Sequence, residues 1–219
     1  MRTIGTMVFL AGILTLPVCE ANPTADKYSG SDAGYLVVGL AAYDTMESRA
    51  IKYTLDYLRI GSNDTGSVSF SPKKKLKLMP FMHQKADFED GDEMGVVEVR
   101  KLPPGNYELV KVEGALYAGF IRWRWQSKDG FSIPFTIEAG NATYVGHFQG
   151  HSTSVRSVLS LGAPLPSGAY FVVSNQIDHD LPIARKKVGT FQEIKIAVPD
   201  VAELKSEYFL QQCPSTGCD

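Results

Sequence analysis

The sequence predicts a mainly β fold of two packed sheets, with a short helical extension at the C-terminus. Apolar and polar residues alternate along FSIPFTIE, so that Phe131, Ile133, Phe135 and Ile137 share one face of a half-buried strand. Other short apolar segments follow at close spacing, divided by turn sequences such as GSNDTG, LPPGN and KDG. Many short strands separated by turn residues are typical of a sandwich or a barrel.

The N-terminus, residues 1–21, has the features of a secretory signal peptide. Arg2 supplies positive charge, and a weakly polar to apolar run of 13 residues follows from Ile4 to Leu16. This run is shorter than the roughly 20 residues that a membrane-spanning helix needs. Cys19-Glu20-Ala21 fits a general signal peptidase, which requires small residues at the first and third positions before its cut. We therefore expect cleavage after Ala21 and a periplasmic or secreted protein.

Lipidation of Cys19 is the alternative, and it would produce a membrane-anchored lipoprotein. Lipoprotein signals place a small residue directly before the modified cysteine, whereas this chain has Val18 there. Contact with a membrane is expected only in that case.

Composition is that of an ordinary globular domain. The chain of 219 residues is 44% hydrophobic and 21% charged, with a net charge of −2, which argues against a general nucleic-acid binder. Small and polar residues at 22–32 predict a flexible leader, and the sandwich is expected at 33–175. The remaining residues, 176–219, form the predicted C-terminal extension.

The strands of the sandwich are predicted from apolar segments between turns. After FSIPFTIE, the turn at Ala139 to Asn141 is expected to return the chain as a hairpin along Thr143 to Phe148. The other predicted strands are Tyr35 to Ala42, Tyr53 to Ile60, Ser67 to Phe70, Leu76 to Phe81, Val96 to Leu102, Tyr107 to Val112, Ile121 to Trp125 and Ala169 to Ser174.

Three of these segments carry a family resemblance. VVEVRKLPPGNYELVKVEG, from Val96 to Gly114, resembles the strand, Pro-Gly turn and strand of prealbumin-like domains such as the carboxypeptidase regulatory domain. FSIPFTIEAGNATYVGHFQG and GYLVVGL are similar to segments of uncharacterised bacterial envelope lipoproteins with such a domain. The resemblance covers scattered pieces of residues 33–175. It implies a two-sheet prealbumin-like β-sandwich of about seven strands, without known enzymatic activity.

The C-terminal extension is predicted to be helical. DVAELKSEYFLQQ begins with Asp200 as a capping residue and has Glu203 three positions later, and Pro214 prevents the helix from continuing. Before it, DLPIARKKVG predicts a short turn of helix that ends at Gly189. In the tail QQCPSTGCD, Cys213 and Cys218 form an even pair around a turn, which predicts a local disulfide in an exported protein.

The histidines and carboxylates match no catalytic or metal-binding motif. On one straight strand His147 and His151 would lie about 13 Å apart, too far to share a zinc ion. Asp178, His179 and Asp180 are neighbours, and neighbours on a strand point in different directions.

The acidic stretch DFEDGDE does not match a metal-binding motif either. If Gly91 were the glycine of an EF-hand calcium loop, the first and third ligand positions would fall on Ala86 and Phe88. We therefore predict no catalytic residue, no metal, no cofactor and no enzymatic activity.

The stretch IRWRW is the strongest candidate for binding. In a strand, Trp123 and Trp125 share one face, and Arg122 and Arg124 share the other. With the tryptophans inward, the arginines form an exposed face; with the tryptophans outward, the rings offer a platform for sugars or a partner protein.

Together these observations predict an exported, non-catalytic binding or assembly module of the bacterial envelope, with an envelope protein or a polysaccharide as its partner. The alternatives are a metal-dependent hydrolase of envelope polymers and a carbohydrate-binding module that uses aromatic residues. Convergence of histidines and carboxylates around one pocket would favour the hydrolase.

Overall fold

A computed structural model describes residues 28–43, 51–72, 84–118, 121–128, 131–156, 164–189, 191–199 and 210–213. Over these ranges the chain forms twelve strands and one helix. In chain order they are β1 (Gly34–Tyr43), β2 (Ile51–Arg59), β3 (Thr65–Phe70), β4 (Phe88–Asp90), β5 (Glu93–Leu102), β6 (Gly105–Ala118), β7 (Ile121–Ser127), β8 (Ile133–Ile137), β9 (Ala142–Arg156), β10 (Pro164–Ser174), α1 (Ile177–Val188), β11 (Ile194–Ile196) and β12 (Leu210–Cys213).

The strands form two sheets, as the sequence predicts. Sheet A has the order β10-β9-β1-β5-β4, with β11 beside the first residues of β9. Its central pair, β1 and β9, is parallel, whereas β5 and β10 join that pair in antiparallel fashion. Sheet B has the order β12-β7-β6-β2-β3, with β8 beside the first residues of β6.

The main core lies between the two sheets, so the fold is a β-sandwich. It is built from aromatic and branched aliphatic side chains of alternate strand positions. The largest fully buried members are Tyr53, Tyr57, Tyr107, Phe70, Phe148, Phe171, Leu36, Leu40, Leu55 and Leu102.

A smaller core lies on the other face of sheet A, where α1 packs. Val37, Val97 and Tyr144 of the sheet form this core together with Ala184 of the helix. The run YLVVGLAA in β1 is consequently buried on both faces, which explains why it is continuously apolar. The helix is longer than the predicted short turn, and it ends before Gly189, whose φ of 87° favours glycine.

The predicted hairpin after FSIPFTIE is wrong. Residues Ile133–Ile137 pair with β6 in sheet B, whereas Ala142 begins β9 in sheet A. The turn between them therefore carries the chain from one sheet to the other. Gly140 adopts a φ of 73° in this turn, and its N–H donates a hydrogen bond to the carbonyl of Ala33.

The end of the predicted C-terminal helix is also wrong, since Leu210–Cys213 forms β12 and pairs with β7. An open strand edge offers a row of backbone partners, and this pairing outweighs a weak helical pattern. The rest of that prediction, residues 200–209, lies outside the described residues. The same holds for the signal peptide, the predicted strand from Leu76 to Phe81 and Cys218.

Candidate functional site

A cluster of imidazole and carboxylate groups lies where α1 covers sheet A. A bulge in β9 brings its side chains together. Val37 of β1 pairs with Tyr144, but Gly39 pairs with His147, so Val38 alone opposes the two residues Val145 and Gly146. Gly146 has a φ of 116° at this bulge. The extra residue turns Tyr144 and His147, which are three apart, to the same face of the sheet.

Gly39 provides the space for this cluster. A Cβ atom at Gly39 would lie 2.3 Å from Nδ1 of His147 and 2.4 Å from Oδ2 of Asp180. These distances are far below a van der Waals contact, so the two side chains occupy the volume that any other residue would fill.

The first turn of α1 contributes Asp180 and His179. Asp180 is fully buried, and its carboxylate accepts hydrogen bonds from three sides. The donors are the hydroxyl of Tyr144 at 2.8 Å, Nδ1 of His147 at 3.0 Å and Nδ1 of His179 at 2.8 Å. The carboxylate therefore ties the helix to β9.

The cluster continues to β5 through the second nitrogen of His147. Nε2 of His147 lies 2.7 Å from Oε1 of Glu93, and the amide of Gln149 donates to Oε2 of Glu93 at 2.6 Å. Nε2 of His151 lies 2.9 Å from Oε1 of Gln149. A line of hydrogen bonds thus runs from His151, through the buried centre, to His179.

The protonation of the central groups follows from these contacts. Burial alone would lower the pKa of His147, but hydrogen bonds with Asp180 and Glu93 outweigh it and raise the pKa to about 9. Burial would raise the pKa of Asp180, yet hydrogen bonds from His147, His179 and Tyr144 lower it. The hydrogen bond with His147 also lowers the pKa of Glu93. These contacts favour the protonated form of His147, whose ring lies between two carboxylates.

Aromatic rings surround the cluster. Phe88 packs its ring against His147 and His179, with centroid distances of 5.8 and 4.6 Å. Beyond the cluster, His151 stacks between Tyr43 and Tyr170, at 5.0 and 4.7 Å. Burial lowers the pKa of His151.

Three members of the cluster have the chemistry and proximity of metal ligands. His147, His179 and Asp180 each offer one ligand atom, and these atoms all lie within 4.8 Å of one another. This group is not among the sites predicted from the sequence, because the spacing of a straight strand was applied to His147 with His151 and to Asp178 to Asp180. The available signal was Gly146, whose place inside an apolar strand indicates a bulge.

The acidic stretch does not gather its carboxylates at one point. Asp87 accepts hydrogen bonds from the backbone N–H of Val97 at 2.8 Å and from Lys187 at 2.6 Å. Glu93 bonds to His147, and Asp92 faces the hydroxyl of Tyr43 at 3.4 Å.

The strand with the candidate binding residues, β7, turns its tryptophans inward. Trp125 is 3% exposed and belongs to the main core, and Trp123 packs against that core. The two tryptophans therefore present no exposed platform. Arg122 and Arg124 lie on the outer face of sheet B, at 2.9 and 3.8 Å from the carboxylate of Glu113.

A groove of about 600 Å³ lies on sheet B, where the pairing of β2 and β6 shifts register. Its lining residues are Asp56, Tyr57, Thr65, Gly66, Ser67, Val110 and Lys111. Lys111 and Asp56 form an ion pair of 2.6 Å there.

Comparisons with known proteins give no family. No family model matches the chain, and no curated protein matches it. Among solved structures, a leucine-rich repeat protein from Bacteroides thetaiotaomicron matches with 13% identity and a TM-score of 0.29. The match covers 53% of this chain and 13% of that protein. A TM-score of this size does not establish a shared fold.

Proposed function

We propose that this protein is an exported, non-catalytic binding or assembly module of the bacterial envelope. We propose further that it recognises an envelope protein or a polysaccharide through the outer face of sheet B. One observation supports this surface above the others. Arg122 and Arg124 lie side by side on that face, and the side chain of Arg122 is 47% exposed, whereas α1 packs on the outer face of sheet A.

The outer face of sheet B carries side chains suited to recognition. Arg122 is 47% exposed, and it lies beside Arg124 over the largely buried carboxylate of Glu113. Arginine is enriched at the energetic centres of interfaces, because its planar guanidinium binds carboxylates and stacks on rings. The ion pairs with Glu113 hold both arginines in place before a partner arrives, which reduces the side-chain entropy lost on binding.

Histidines and carboxylates do converge beneath α1, as the alternative of a metal-dependent hydrolase requires, but two features of the cluster argue against a hydrolase. His147 and Asp180 are fully buried, and each ring nitrogen of His147 already faces a carboxylate oxygen. A general base must reach a proton of the substrate, and a buried imidazole ring with both nitrogens engaged does not. Within the described cluster, the more accessible imidazole is that of His179, whose side chain is 38% exposed.

Capture from envelope extracts tests the proposed surface. We expect the double variant Arg122→Ala/Arg124→Ala to lose a partner that the unaltered protein retains. Its thermal midpoint should fall by no more than about 4 °C, because ion pairs at the surface contribute roughly 0–1 kcal/mol each and removing both arginines opens the largely buried Glu113 to water.

A matched control is Arg185→Ala/Lys186→Ala, which removes the same charge from exposed residues of α1. It should capture the partner normally. Loss of stability in the arginine variant, with capture intact in the protein that remains folded, would show that the arginines are structural and that binding occurs elsewhere.

Two features of the sequence support the proposed export: the signal-like residues 1–21, and the even pair of cysteines near the C-terminus. We expect the intact mass of the mature protein to correspond to a start at Asn22 without lipid, and peptide mapping to find Cys213 bonded to Cys218. A diacylated Cys19 would establish a membrane anchor instead, and two free thiols in the tail would refute the disulfide.

A further inference from the structure

We propose that His147, His179 and Asp180 form a binding site for one divalent transition-metal ion of the zinc class, which fastens α1 to sheet A. The inference does not rest on the proposed recognition surface, since that surface belongs to the other sheet. It replaces the expectation from sequence that the protein holds no zinc.

The distances among the three side chains fit a common ion. Nδ1 of His147 lies 3.0 and 3.2 Å from the two oxygens of Asp180, and Nδ1 of His179 lies 2.8 Å from Oδ1. Two ligands of a tetrahedral zinc, each bound at about 2.0–2.2 Å, are separated by roughly 3.3–3.5 Å. Small rotations of the side chains would therefore admit the ion, which would displace the protons from Nδ1 of His147 and Nδ1 of His179 to solvent. His179 is 38% exposed on this side.

The groups behind these ligands match those around known metal sites. A metal-binding histidine usually donates its other ring N–H to a carboxylate, which fixes the tautomer and the ring orientation. Nε2 of His147 faces Glu93 in this way, and Gln149 holds Glu93 in turn. The hydroxyl of Tyr144 holds Asp180 from the side of β9.

The ligand set selects the class of ion. Two imidazoles with one carboxylate suit zinc and its neighbours in the first transition series, whereas calcium and magnesium prefer oxygen ligands alone. Three protein ligands leave one tetrahedral position for a water molecule. His179 lies on the first turn of α1 and is 38% exposed, so an ion reaches the site from that side.

Calorimetric titration of Zn²⁺ into the full chain, after treatment with a chelator, tests the site. We expect one equivalent to bind and the thermal midpoint to rise with zinc concentration, because an ion that binds only the folded state stabilises it. His179→Ala should weaken binding by more than about 100-fold, while Tyr144→Phe, which loosens Asp180, should weaken it by about 10-fold. Calcium should not bind.

The control is Arg185→Ala/Lys186→Ala, which removes two exposed basic residues of α1 that lie outside the three ligands. It should bind zinc as the unaltered chain does, and so should Arg122→Ala/Arg124→Ala. Nitrogen chemical shifts add a readout for the buried residues, since zinc should move Nδ1 of His147 and His179 but neither nitrogen of His151. Absence of binding, full binding by His179→Ala, or loss of binding in Arg185→Ala/Lys186→Ala would overturn the proposal.

Discussion

Gly39 shows how one residue without a side chain determines the chemistry of its surroundings. The carboxylate of Asp180 and the ring of His147 meet in the volume beside its Cα atom. A larger residue would separate the two groups and leave a charge buried without its partner, which is among the costly defects in a protein interior.

We predict that Gly39→Ala lowers the free energy of unfolding by about 1–3 kcal/mol, because its Cβ would overlap both side chains. Urea denaturation measures the change. Gly114→Ala is the control: it also lies within a strand, and its Cβ would meet neighbours at 3.2–3.7 Å. Equal losses for the two variants would mean that the space beside Gly39 has no special importance.

The buried cluster could not be predicted from single residues. His147, His179 and Glu93 are far apart in the chain, and only the packing of α1 on sheet A brings them together. The inward direction of Trp125 was one of two open alternatives, since alternation defines which residues share a face but not which face is buried.

At the scale of elements, the bulge of β9 determines which side chains of that strand face α1. A regular strand would place Tyr144 and His147 on opposite faces, because side chains alternate with a period of two. With the bulge, Tyr144 and His147 face α1, whereas Val145 and Phe148 enter the main core.

We predict that Gly146→Ala costs about 1–3 kcal/mol of stability, since a φ of 116° is unfavourable for a residue with a Cβ atom. Gly168→Ala is the control, because Gly168 also borders a register shift along β9 but needs no positive φ. Its Cβ would meet only the hydroxyl of Thr153, so we expect a change of a few tenths of a kcal/mol. Chemical denaturation of both variants measures the two changes in the free energy of unfolding.

Most strands of the sandwich follow from local patterns, but their partners do not. Alternation predicts β8 and a continuous apolar run predicts β1, because burial of one or two faces leaves a local mark. Strand pairing leaves no such mark in the sequence. For this reason β8 and β9 were predicted to form a hairpin, although they belong to different sheets. Residues Leu210–Cys213 became a strand because the edge of β7 was available.

At the scale of the whole molecule, the segment after β10 completes both sheets. α1, which comes first, covers the outer face of sheet A. β11 then pairs with β9 in sheet A, and β12 pairs with β7 in sheet B. Within the described residues no helix is long and apolar enough to span a membrane.

We predict that a chain ending at Phe209 self-associates, because without β12 the backbone of β7 becomes an open edge that pairs with another copy. A chain ending at Cys213 keeps β12 and should stay monomeric in the same buffer with reducing agent. Light scattering after size-exclusion chromatography distinguishes the two states. A monomeric chain ending at Phe209 would mean that β7 is protected in another way.

The parallel pairing of β1 with β9 also determines when the molecule can fold. Tyr35 and Ala142 are partners although about 100 residues separate them, so this ladder closes a long loop. Contacts of such range slow folding, because the entropy of closing the loop is lost before the contacts stabilise anything. While the chain is being synthesised, β1 has β5 as its neighbour but lacks β9. A nascent chain of this topology stays unfolded for longer, as the proposed export through a narrow channel would require.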